Sequence, residues 1–175
     1  MSSLNAEKMR QALAALDGLL SRPVELIMGG GGAMLLAYHF PLATSDIDAI
    51  PKGLSVDELT PFVEEVARQL GLPLDWLNPW YSSFTYVLAA DYETRLQDVF
   101  QGRQLLVRAL GKEDLLLMKC FAHRPKDRAH ARALVRAGAN VDLVFEWIEE
   151  KKKRKLPQAG AAQEFLEEVL DSEGQ

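Results

Sequence analysis

Asp46 and Asp48 stand two residues apart in Thr44-Ser45-Asp46-Ile47-Asp48, a stretch that alternates polar and apolar side chains as far as Ile50. On an extended strand, residues i and i+2 point to one face about 6 to 7 Å apart at Cα. Two carboxylates so placed can converge on one or two divalent cations. A third carboxylate on a neighbouring strand would complete such a site, and Asp75, in the strand-like Leu74-Asp75-Trp76-Leu77, is the candidate. An Asp-x-Asp tripeptide is also common, and Asp46 equally suits an N-cap or a turn after Thr44-Ser45. Upstream, four glycines, Gly29 to Gly32, follow the β-prone Val24–Met28 and precede a helix-forming run. Backbone amides with no side chain in the way can approach a phosphate closely; the same glycines also suit tight packing of strand on helix. The run is not a Walker loop, since no Gly-Lys-Ser/Thr follows, and Gly29 to Met34 does not fit the dinucleotide fingerprint.

A second polar group falls later. Lys119, His123, Arg124, Lys126, Arg128, His130 and Arg132 cluster around a single acid, Asp127, in a chain whose 25 acidic and 20 basic residues give a net charge of −5. The acidic balance excludes coating of nucleic acid by bulk charge, so a polyanion contact must be local, and this cluster suits a phosphate-binding rim. Solvated helix positions are the alternative. His123 and Asp127, four residues apart, lack the second cluster that a metal site at ligand spacing would need. The run Lys151 to Lys155 follows Glu146, Glu149 and Glu150 and reads as a solvated helix end, with an RNA-phosphate contact as the alternative. Trp80 and Tyr81 are candidates to stack on a base beside Asp75, while Trp76 and Phe84 read as core. Cys120, the one cysteine, cannot form an internal disulfide and reads as core.

The elements that must position these residues follow from periodicity. Helical spacing of Met9, Leu13, Leu16 and Leu20 predicts a helix over residues 4–21. Strands are predicted at 24–28, 45–50 and 72–77, and helices at 33–39 and 56–70, the latter closed by Gly71. Residues 51–55 read as a loop, and 95–100 with 104–110 as a β-hairpin. From Gly111 the pattern is helical: 113–123, 126–136 with Pro125 at the first helical position, 141–155 and 163–170. The fold class is α/β: a small mixed sheet with flanking helices over residues 1–110, and a helical C-terminal part, 111–175, packed on it. With 48% hydrophobic and 26% charged residues the composition is that of a globular chain and excludes disorder. No run of about 18 apolar residues exists, which excludes a spanning helix. Glu7, Lys8, Arg10 and Asp17 interrupt the first twenty residues, so no secretory signal is read there and a cytoplasmic location is expected.

Gly30-Gly31-Gly32-Ala33, a helix, and then Thr44-Ser45-Asp46-Ile47-Asp48 resemble the Gly-Gly-x-Ala and Thr-x-Asp-Ile-Asp signatures of the DNA polymerase beta type nucleotidyltransferase superfamily. The likeness extends to small bacterial members, including the AbiEii-like toxins of toxin and antitoxin pairs. There a later helix carries a lysine followed by an Arg-x-Lys-Asp element, which Lys119 and Arg124-Pro125-Lys126-Asp127 resemble. The resemblance spans roughly residues 24–136. It implies transfer of a nucleoside monophosphate from a nucleoside triphosphate to an RNA hydroxyl, such as a tRNA end, or to a protein hydroxyl, with a cognate antitoxin as a further partner. It also implies that Asp46, Asp48 and Asp75 hold magnesium. Gly30, Gly31, Thr44 and Ser45 would face the triphosphate, Lys119, Arg124 and Lys126 would neutralise its oxygens, and Asp127 would orient a basic group or the acceptor. The extra glycine leaves the register of the Gly-Gly pair ambiguous by one residue, and Asp75 matches only by its place in the strand order. A relative that keeps the fold and binds nucleotide or a partner protein without turnover is the alternative.

Overall fold

The computed structural model describes residues 4–42, 44–79 and 85–174. These fall into two units, one of residues 4–79 and 96–110, the other of residues 85–95 and 111–174. The first unit runs α1 (Ala6–Leu19), β1 (Val24–Met28), α2 (Gly30–Leu36), β2 (Ile47–Lys52), α3 (Val56–Leu70), β3 (Leu77–Asn78), β4 (Gln97–Gln101) and β5 (Leu105–Ala109). Its strands form a five-stranded mixed sheet in the order β3-β2-β1-β5-β4. β1 is antiparallel to β2 and parallel to β5, β3 is parallel to β2, and β4 and β5 make the expected hairpin. The α/β class therefore stands.

Strand alternation divides the sheet into two faces. Val24, Leu26 and Met28 of β1, Ile47 and Ala49 of β2, and Leu105, Val107 and Ala109 of β5 are buried, as are Met9, Leu13 and Leu16 of α1 and Leu59, Val63 and Val66 of α3. The opposite face carries the half-buried Glu25, Asp48, Ile50 and Arg108, with Glu25 and Arg108 ion-paired. Burial of one face thus fixes which side of β2 its acidic residue must occupy.

Several boundaries differ from the sequence reading, among them α7, which spans Ala159–Glu173 against the expected 163–170. Helix α2 starts at Gly30, inside the glycine run, because Gly29 is the extended residue that ends the strand geometry. β2 continues through Pro51, which pairs with Leu26, although the sequence suggested a loop there. Proline is tolerated because β3 covers only Ile47 and Asp48, so at Pro51 the outer side of β2 has no ladder to serve. β3 is only two residues long and begins after Asp75. Pro125 lies in the turn ahead of α5 rather than at its first helical position. By contrast α3 matches its expected span, closed by a Ser55–Glu58 capping box and by Gly71 in the left-handed conformation.

The second unit holds α4 (Lys112–Ala122), α5 (Asp127–Arg136), α6 (Val141–Lys153) and α7 (Ala159–Glu173), with a 3-10 turn at Tyr92–Arg95. Arg95 clamps it: Nε and Nη2 donate to Asp114 at 2.8 and 2.9 Å, and the guanidinium lies 4.7 Å over the Trp147 ring. Asp114 is fully buried, and burial pushes its carboxyl up against the opposing pull of Arg95. No helix among the described residues is long and apolar enough to cross a membrane.

In the first unit, Asp17 near the end of α1 accepts from the backbone N–H groups of Arg103, Gln104 and Leu105 at 3.0, 2.7 and 2.8 Å. It thereby ties the helix to the β4–β5 turn, where a Cβ on Gly102 would meet its carboxylate at 2.3 Å. Burial raises the carboxyl pKa, but the three N–H donors outweigh burial and hold it below the ordinary 3.8. A group whose folded-state pKa is depressed stabilises fully above its unfolded value, and that contribution fades as pH falls through the folded value. Asp17→Ala is expected to lower stability by roughly 2–4 kcal/mol at pH 7, since three backbone donors, that of Leu105 buried and the other two partly so, lose their partner. Urea titrations from pH 7 down to pH 2 should show a smaller acid-induced loss in the variant than in the wild type.

Candidate active site

The antiparallel β1–β2 ladder runs one step beyond β1, where the Gly29 N–H donates to the Asp48 carbonyl at 2.9 Å. That bond brings the glycine turn against the start of β2. A Cβ on Gly30 would lie 2.0 Å from Asp48 Oδ2, and residue 30 has φ +56°. Only glycine meets both conditions: the left-handed backbone is costly for other residues, and the carboxylate occupies the side-chain volume. Gly31 clears Thr44, whose Cβ and Oγ1 a methyl would meet at 3.2 Å, and Gly32 clears the Met28 sulfur at 3.1 Å. These three glycines serve close packing of the turn against its neighbours.

Thr44 is itself anchored by a two-way backbone bridge to Leu4, at 2.7 and 3.3 Å. From there Thr44 Oγ1 and Ser45 Oγ donate to Asp46 Oδ1 at 3.4 and 3.2 Å, and Asn78 Nδ2 donates to Asp46 Oδ2. Asp46 precedes β2 and Asp48 is its second residue; both are partly exposed, whereas Ile47 and Ala49 between and after them are fully buried. The i, i+2 pair therefore shares one accessible face. The two carboxylates offer oxygen, the donor chemistry of a hard divalent cation.

The expected third carboxylate is not brought to this pair. Asp75 lies exposed in the turn before β3 and borders a cleft formed with Val56, Leu59, Val63 and Leu74. It fails to join because the chain enters β3 only at Leu77, and the residue in register with Asp48 is Asn78. Among the described residues no three His, Cys, Asp or Glu side chains come together to hold a metal. Asn78 went unread in the sequence, where the predicted strand stopped at residue 77. Trp80, Tyr81 and Phe84 lie outside the described residues.

In the second unit, Lys119 and Asp127 are buried and joined at 2.9 Å, and Arg124 Nε donates to the other carboxylate oxygen at 2.7 Å. Burial pushes the Lys119 amine down, Asp127 pulling against it; burial pushes the Asp127 carboxyl up, but Arg124 and Lys119 prevail and hold it low. Asp127 thus orients two basic groups. His130 is driven down to about 4 by burial and by Lys119, so it carries no charge at neutral pH. Arg128 and Arg136 pair with Glu168 and Glu173, and Arg132 donates to Ser172, so two members of the basic cluster, with Arg136 beside them, tie α5 to α7. In the other basic run Lys151 is buried and Lys152 bonds Glu149 and Gln163.

Comparison with known families matches residues 7–165 to the family described as "Nucleotidyltransferase of unknown function (DUF6036)". The chain belongs to this family. The match takes in both units and extends beyond the motifs noted above, from α1 into α7. Membership in a nucleotidyltransferase family makes a nucleotide the substrate class. No curated protein and no solved structure matches the chain.

The glycine turn gives a direct check on this geometry. Gly30→Ala is expected to destabilise the family member by about 1–2 kcal/mol from the left-handed backbone alone, and further by displacing Asp48. Gly160→Ala, where a Cβ meets nothing within 4 Å inside α7, should be neutral or stabilising. Chemical denaturation of both variants beside the wild type measures the contrast.

Proposed function

We propose that the chain moves a nucleoside monophosphate from a nucleoside triphosphate to a hydroxyl of RNA or protein, using magnesium held by Asp46 and Asp48. The observation that carries this reading is the partly exposed Asp46–Asp48 pair at the start of β2, with Asp48 seated against the backbone of the glycine turn. One or two carboxylates, with substrate phosphates completing the shell, are the usual protein share of a magnesium site. When bound, the cation neutralises the triphosphate and lowers the pKa of the attacking hydroxyl.

The residues of the chain supply position. Asp46 is fixed by Thr44, Ser45 and Asn78, so its orientation is set before substrate arrives. Gly30 and Gly31 present backbone without side chains to the triphosphate. The resemblance to AbiEii-like toxins makes a tRNA end a natural acceptor and a toxin-antitoxin pairing the biological setting of this proposal.

A second reading, a catalytically silent relative that binds nucleotide, is favoured by one observation: an amide, Asn78, stands where a third carboxylate would complete the set. Incubation of the wild type and Asp48→Asn with α-labelled nucleoside triphosphates and a cell lysate separates the two. Transfer to a product sensitive to ribonuclease or protease is expected from the wild type, reduced on the order of a hundredfold or more in the variant. Nucleotide binding without transfer supports the silent reading, and equal labelling by both proteins defeats the assignment.

A further inference from the structure

Asn78 brings to this site an amide where a carboxylate would add charge. It is 4% exposed, held in a strand of two residues parallel to β2 and in register with Asp48. The segment is rigidly anchored: the Ile47 N–H donates to the Trp76 carbonyl at 2.6 Å, and the fully buried Trp76 donates its Nε1–H to the Val63 carbonyl of α3 at 2.9 Å. The amide nitrogen of Asn78 donates to Asp46 Oδ2, whose other oxygen takes the Thr44 and Ser45 hydroxyls.

An aspartate has nearly the same shape as asparagine but, when ionised, only accepts hydrogen bonds. Placed at residue 78 it would set a carboxylate against the Asp46 carboxylate, two like charges within hydrogen-bond distance. The amide turns that repulsion into a bond and leaves the site with two negative charges instead of three. Charge count is a principal determinant of cation affinity in oxygen-ligand sites. We propose that Asn78 is a positioning residue that holds Asp46 and keeps the bare site too weakly charged to retain a divalent cation, so that the cation and the nucleoside triphosphate bind together. This rests on the assignment of Asp46 and Asp48 as cation ligands.

The test is manganese binding, followed by electron paramagnetic resonance on the full chain, with and without a non-hydrolysable nucleoside triphosphate analogue and corrected for cation on free analogue. The wild type should bind manganese at least about tenfold more tightly with the analogue present, and Asn78→Asp should bind it alone at least about tenfold more tightly than the wild type does. A merely structural role for Asn78 would lower the melting temperature of Asn78→Asp without raising its manganese affinity, and that result overturns the proposal. If Asn78→Asp does not fold, the wild-type arm decides: equal manganese affinity with and without the analogue overturns it. Asp48→Asn distinguishes the two levels. Unchanged manganese binding in that variant brings down the site assignment itself, whereas lost binding there beside an unchanged Asn78→Asp brings down only the role of Asn78.

Discussion

The volume that a side chain at residue 30 would fill is taken by the Asp48 carboxylate, and this exclusion organises the sheet end of the first unit. For Asp48 to reach that position, the turn after β1 must pass close to the start of β2, which the Gly29-to-Asp48 backbone bond enforces. The left-handed φ of Gly30 is the conformational consequence, and the clearance of Thr44 by Gly31 is the steric one. Thr44 is held to Leu4 on its other side, so the chain between α2 and β2 is fixed at both ends. Asp46, two residues later, then accepts from Thr44 and Ser45 beside it and from Asn78 of β3. One close approach between backbone and carboxylate therefore sets the geometry of both acids.

The two units satisfy their acids in different ways, and the difference bears on function. In the first unit Asp17 and Asp46 accept from neutral donors: three backbone N–H groups for one, two hydroxyls and an amide for the other. Neutral donors orient a carboxylate without bringing a compensating positive charge to it. In the second unit Asp114 and Asp127 are fully buried and meet Arg95, Lys119 and Arg124, which neutralise them. A cation is drawn to the first kind and not to the second. Asp17 is enclosed by the hairpin turn, whereas Asp46 and its neighbour Asp48 are partly exposed, as the proposed magnesium site requires.

Sequence pattern gave β1, α3 and the β4–β5 hairpin because each is bounded by strong local chemistry: the glycine run, the Ser55–Glu58 box with Gly71, and a glycine-containing loop. It gave the Asp46–Asp48 pair because alternation along β2 follows directly from one buried face. What it missed depends on pairing across the chain. Pro51 reads as a loop residue until β3 is known to stop short of it, and Asp75 reads as a strand acid until register puts Asn78 beside Asp48. The basic run of α5 looks like a ligand surface until Glu168, Ser172 and Glu173 are found opposite it. Register and long-range partners are not written in local spacing, and these residues turned on nothing else.

A crystal of the protein with manganese and a non-hydrolysable nucleoside triphosphate, measured at a wavelength where manganese scatters anomalously, tests the central claim most directly. The account requires an anomalous peak within about 2.0–2.4 Å of carboxylate oxygens of Asp46 and Asp48, shared with triphosphate oxygens beside the Gly30 turn. A peak bound elsewhere, or a triphosphate seated away from that turn with both carboxylates uninvolved, would contradict it.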